Sequence, residues 1–106
     1  MTDLEITRLC AEAMGLKTVQ YVTGDGCLCT ANEKLKKDFY FDPLHDDAQA
    51  LALVKKFGLA IDIMSVRKLG WCVWPSDDAL IVNVDLNRAI CECVARIEEA
   101  KHEKTL

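Results

Sequence analysis

Apolar residues recur at Ile6, Leu9, Cys10 and Ala13, the spacing that lines one face of a helix. Thr2 stands where an N-cap is wanted, and Glu5 three residues later completes a capping box. Gly15 then offers a left-handed residue to end the helix. A β-prone run follows over Thr18–Val22 and another over Cys27–Thr30, with Thr23-Gly24-Asp25-Gly26 between them as a hairpin turn. The stretch Asn32–Asp38 is polar and lysine-rich and reads as an exposed loop.

A second helix is expected after Tyr40-Phe41-Asp42-Pro43-Leu44. Pro43 turns Asp42 away from helical geometry, Asp46 can cap, and Gln49 holds the third helical position. Its apolar face is read as Leu44, Ala48, Leu51, Val54 and Phe57. Lys55 and Lys56 suit the last turn, and Gly58 closes it. Leu59–Met64 alternates, with Leu59, Ile61 and Ile63 on one side, as in a half-buried strand. A loop, Ser65–Gly70, leads to a strand Trp71–Trp74 that Pro75 ends. After the acidic turn Ser76-Asp77-Asp78, Ala79–Val82 is a short third strand. The last helix is expected from Asn83 or Asp85, with a stripe of Leu86, Ile90, Cys93 and Ile97. Arg88, Glu92 and Arg96 form a charge ladder on its outside, and Lys101–Leu106 reads as a fraying tail.

The later strands are joined by short loops and must pair antiparallel. Three amphipathic helices are available to cover their apolar faces. The expected class is α+β: a three-layer α/β/α sandwich in which a small, mainly antiparallel sheet is covered by three helices. At 106 residues the chain has the length of one domain spanning residues 1–106, able to fold without a metal or disulfide staple.

Composition adds constraints rather than a function. Hydrophobic residues make up 51% and charged residues 28%, which excludes a disordered chain. No apolar stretch approaches the length of a membrane span, and the polar, acidic start is unlike a signal peptide, so a cytosolic protein is expected. In that compartment the six cysteines are read as free thiols, with Cys10, Cys91 and Cys93 in helical cores. A net charge of −4 argues against broad nucleic-acid binding.

Candidate chemistry is thin. The pairs Cys27/Cys29 and Cys91/Cys93 are expected to turn their sulfurs to opposite sides of a strand and of a helix. They also lack the wider spacing of structural zinc ligands, so no metal and no cofactor is expected. Thr23–Gly26 has no lysine and no following helix, which sets it apart from a phosphate loop. His45 lies beside Asp42, Asp46 and Asp47, but no nucleophile can be placed next to it. Those acids suit capping better than calcium binding. No catalytic residue is assigned. Trp71 and Trp74, three apart on a strand, point to opposite faces, so one is core and the other partly exposed near Arg67 and Lys68. Lys34, Lys36 and Lys37 form a basic knot in the long loop. The candidate contact surface is therefore Trp71, Trp74, Arg67, Lys68, Lys34, Lys36 and Lys37.

Four segments taken together carry a resemblance: Leu4–Gly15, Phe41–Ala50, Trp71–Trp74 and Asp85–Cys93. The pattern resembles the small phage and prophage proteins grouped as the phage ABA-sandwich domain family, leaving about residues 16–38 outside. The resemblance implies a three-layer α/β/α fold and a phage origin; it implies no reaction. The expected function is that of a non-enzymatic phage accessory protein which binds and occupies a host protein in the host cytoplasm, with host defence as an associated role. A small-molecule binder that sequesters a nucleotide is the alternative. The free edges of an open sheet also admit a homodimer.

Overall fold

The computed structural model describes residues 1–21, 27–30, 38–64, 70–75 and 81–104. Helix α1 spans Asp3–Ala13, and Thr2 caps it as expected: the Glu5 amide donates to Thr2 Oγ1 at 3.1 Å. The helix ends with Leu16 N–H bonding the Ala11 carbonyl and Gly15 N–H bonding that of Glu12, the paired closure of a Schellman turn. Thr2→Ala removes the cap oxygen and is expected to cost about 1 kcal/mol, read as a lower chemical-denaturation midpoint at unchanged slope.

Strands β1 (Lys17–Tyr21), β2 (Cys27–Thr30) and β3 (Asp38–Phe41) form one antiparallel sheet in the order β1-β2-β3. The hairpin is as expected. The third strand is not: the sequence pattern places Asp38 in a loop and Tyr40–Phe41 in the lead-in to the next helix, whereas Asp38–Phe41 pairs with β2. Cys27 pairs with Phe41 and Cys29 with Phe39, so these four side chains share one face. The rings of Phe39 and Phe41 meet edge to face at 6.4 Å, with Phe41 buried. Two residues placed two apart on a strand always share a face, so Cys27 and Cys29 do not diverge as expected; their sulfurs lie 3.6 Å apart in the core.

Helix α2 spans Asp47–Phe57. Asp46 caps it, accepting from the Gln49 amide at 3.0 Å, and Gly58 closes it at φ 61°. Gln49 departs from a simple capping box. Its side chain reaches back to β3, accepting from Asp42 N–H and donating to the Tyr40 carbonyl. That double tether fixes the rotation of α2 about its axis. The buried residues are Ala50 and Leu53, with Val54 and Phe57 partly covered, whereas Ala48 and Leu51 face outward. Of the face read in the sequence, Leu44 is buried and Val54 and Phe57 pack against the core, but Ala50 and Leu53 take the inward places expected for Ala48 and Leu51. Both stripes are apolar, and the helix's own periodicity does not choose between them.

Strands β4 (Ala60–Met64), β5 (Gly70–Trp74) and β6 (Ile81–Asn83) form a second antiparallel sheet, order β4-β5-β6. Ile61, Val73 and Ile81 stand opposite one another, as do Ile63, Trp71 and Asn83, so all six share one face. Helix α3 (Leu86–Lys104) starts on Asp85, whose Oδ1 accepts from the Arg88 amide, and stays helical past Lys101. It packs against α1, α2, β5 and β6, while α1 also packs on β1 and β2. Because α3 has neighbours on several sides, its buried surface is wider than one stripe: Ala89, Ile90, Cys91, Cys93, Val94 and Ala95 are all inside. The expected Arg88–Glu92 pair forms at 3.0 Å, and Arg88 also binds Asp3 at 2.6 Å, tying the two helices together.

The fold is α+β as expected, a small α/β sandwich with antiparallel pairing throughout, but its strands divide between two three-stranded sheets. Among the described residues no helix is long and apolar enough to cross a membrane.

Candidate binding hollow

Helices α2 and α3 meet the start of strand β4 around a hollow of about 420 Å³. Its apolar wall is Leu51 and Val54 from α2, Ile61 from β4, and Leu86 and Ile90 from α3. The outward stripe of α2 puts Leu51 there at 51% exposure, a consequence of the Gln49 tether. Strand β4 contributes because α3 covers β5 and β6 but not the edge. Val73 and Ile81 are buried, while Ile61 and Ile63 on the same face are 36% and 59% exposed. Val84, between β6 and α3, is more exposed still.

The hollow has an acidic rim. Asp47 Oδ1 accepts from Asn87 Nδ2 at 2.8 Å across the α2–α3 gap, and Asp85 caps α3. Asp62 is not part of this rim: it alternates with Ile61 and Ile63 and points to the other face of β4, its Oδ1 accepting from the Ile63 amide at 2.7 Å. These carboxylates are engaged in fixing helix starts and a strand edge. An apolar trough with anionic edges suits a segment that is apolar on one side and basic at its margins.

The residues singled out from sequence fall differently. Trp71 and Trp74 lie on opposite faces of β5 as expected, but both are half-buried; Trp71 shares its face with Ile61 and Ile63, next to the hollow. Arg67, Lys68, Lys34, Lys36 and Lys37, like the turn at residues 23–26, lie outside the described residues. His45 Nδ1 is 2.9 Å from Asp42 Oδ2 on the surface, whereas Asp46 caps α2 and Asp47 faces Asn87. The three aspartates therefore serve three separate bonds, two local and one between helices.

The cysteines are buried free thiols. Cys10 Sγ donates to the Cys91 carbonyl at 3.3 Å. The bond with Cys10 and burial together push the Cys91 thiol far above its ordinary range, which leaves it neutral and a poor nucleophile. Hydrogen bonding to Asp3 raises the Arg88 guanidinium in the same sense that it steadies the α1–α3 pair.

No family model, no curated protein and no solved structure matches the chain.

Sequence reasoning missed the hollow because its wall depends on which of two apolar stripes α2 buries. The only hint was Gln49, a long amide in the first turn that can reach a preceding strand.

Proposed function

We propose that the chain is a non-enzymatic binding protein that seats a basic, amphipathic segment of a partner protein in the hollow between α2, β4 and α3. The observation that carries this reading is the pair of uncovered aliphatic side chains in the hollow, Leu51 and Ile61, continued along the same face of β4 by exposed Ile63 and bordered by Asp47 and Asp85. Isolated exposed aliphatics are ordinary, but several around one concavity mark a docking surface. The charges select the partner. A second copy of this chain would bring the same carboxylates against themselves, and a nucleotide would bring phosphates against them; a cationic segment is favoured over both. Trp71, at the margin of the same face, supplies the aromatic contact expected from sequence.

The biological setting rests on the four sequence segments that resemble phage ABA-sandwich proteins. In that setting the chain is a phage or prophage accessory protein and the partner a host protein, with host defence components as the class to examine.

Two synthetic helical peptides of equal apolar content, one Leu/Lys and one Leu/Glu, test the chemistry. In amide NMR spectra the Leu/Lys peptide is expected to shift Leu51, Ile61 and Leu86, and the Leu/Glu peptide to leave them in place. Leu51→Asp should weaken Leu/Lys binding roughly tenfold, since it removes about 1–2 kcal/mol of apolar burial. Equal response to both peptides, or none at millimolar concentration, would sink the proposal.

A further inference from the structure

At the opposite end of α3, Glu98 and His102 are one turn apart and so project from the same side of the helix. Glu12, in the last turn of α1, meets them there: His102 Nε2 is 3.1 Å from Glu12 Oε2 and 3.5 Å from Glu98 Oε1. One ligand-type atom from each residue lies within 4.8 Å of the other two, the one group of three His, Cys or acidic side chains so arranged among the described residues. We infer that Glu12, Glu98 and His102 form a binding site for a divalent transition-metal ion of the zinc type.

Four features point past a simple ion pair. The distances from the imidazole nitrogen, 3.1 and 3.5 Å, lie within a few tenths of an ångström of the roughly 3.3–3.5 Å that bonds of about 2.0–2.2 Å set between neighbouring ligands of a tetrahedral ion. The donor set is one imidazole and two carboxylates, which zinc accepts, and two carboxylates balance a divalent charge. Glu98 is held in place: its side chain is 14% exposed, and its other oxygen, Oε2, is engaged by Lys101 Nζ at 3.9 Å, leaving Oε1 turned to the histidine. Finally, the last turn of α1 carries no basic residue, so its carbonyl end contributes a negative potential beside Glu12.

The imidazolium and the metal ion are alternatives at this position. With His102 protonated, an N–H sits between the carboxylates; with His102 neutral, a metal ion takes the place of that proton. Three protein ligands leave the remaining coordination to water. The site stands about 12 residues along α3 from Leu86–Ile90, roughly 18 Å at the helical rise, so it is independent of the partner hollow.

The test is titration of the chelator-stripped full chain with zinc chloride by calorimetry at neutral pH, repeated with cobalt(II) and read by visible absorption. One zinc ion per chain with micromolar affinity is expected, and a cobalt spectrum lacking the thiolate charge-transfer band. His102→Ala, Glu12→Gln and Glu98→Gln should each weaken binding by more than the roughly 10–100-fold that loss of a mere supporting residue costs, at unchanged helical signal. All three positions are on the surface side of the helices, and the cobalt spectrum of the unaltered chain needs no variant. Absence of binding at millimolar zinc, a thiolate band, or full affinity in the Glu12→Gln/His102→Ala double variant would each overturn the site.

Discussion

Gly70→Val is expected to lower the melting temperature by roughly 10–25 °C. Gly70 opens β5 at φ 100°, a conformation that β-branched residues avoid, and this alone costs about 1–3 kcal/mol. The second cost is steric. A Cβ at residue 70 would run into the Asn83 carbonyl and Val84 Cα, where β6 hands over to α3. Those are backbone atoms and cannot rotate away, so β6 or the start of α3 must move, adding about 1–3 kcal/mol. Asn83 Oδ1 accepts from the Asp85 amide at this same junction, and Asp85 caps α3, so the displacement reaches the rim of the hollow. Gly70→Ala should follow at somewhat smaller cost, since it meets the same carbonyl. Gly58→Ala provides the control: its φ of 61° is also left-handed, but nothing lies within 4 Å of the added methyl. It should cost only about 1 kcal/mol, the conformational share by itself. Thermal unfolding of the three variants by circular dichroism decides the matter; equal losses for Gly58→Ala and Gly70→Ala would show that crowding at Asn83 contributes nothing.

The contrast shows where the sequence was readable. Local signals survived because their partners are a few residues away: Thr2 and Glu5 at the start of α1, Asp46 and Gln49 at the start of α2, the two β-prone runs that pair as β1 and β2, and the existence of strand β4. Gly70, by comparison, looked like the end of a loop, because the atoms it must avoid belong to residues 83 and 84. Strand β3 was hidden for a similar reason. Asp38–Phe41 follows a lysine-rich stretch, and only the pairing of Phe39 and Phe41 with Cys29 and Cys27 makes it a strand. The misreading of Cys27 and Cys29 was of another kind, a period-two spacing treated as though it crossed the sheet. The Glu12–Glu98–His102 group joins residues more than 80 positions apart and carries no local spacing motif beyond Glu98 and His102. Helix α2 lies between these cases. Its ends were legible and its buried face was not, because Ala48–Val54 is apolar almost all round and the deciding bonds run from Gln49 to another element.

That rotation of α2 sets the second large effect. Leu53→Ala is expected to destabilise the fold by about 2–5 kcal/mol, whereas Leu51→Ala, two residues away in the same helix, should stay within about 0.5 kcal/mol. Leu53 has no exposed surface and stands in the core with Leu44, Ala50 and Leu59, so truncation removes apolar burial and leaves a cavity the neighbours only partly fill. Leu51 is half exposed at the hollow and loses little on truncation. The stripe read from the sequence alone, with Leu51 inside, demands the reverse order, so urea denaturation of the pair discriminates directly. The Leu/Lys peptide then separates stability from binding: Leu51→Ala should keep the native midpoint and bind the peptide more weakly. A Leu51 variant that unfolds readily, beside a Leu53 variant that does not, would place Leu51 in the core and remove the hollow's principal wall.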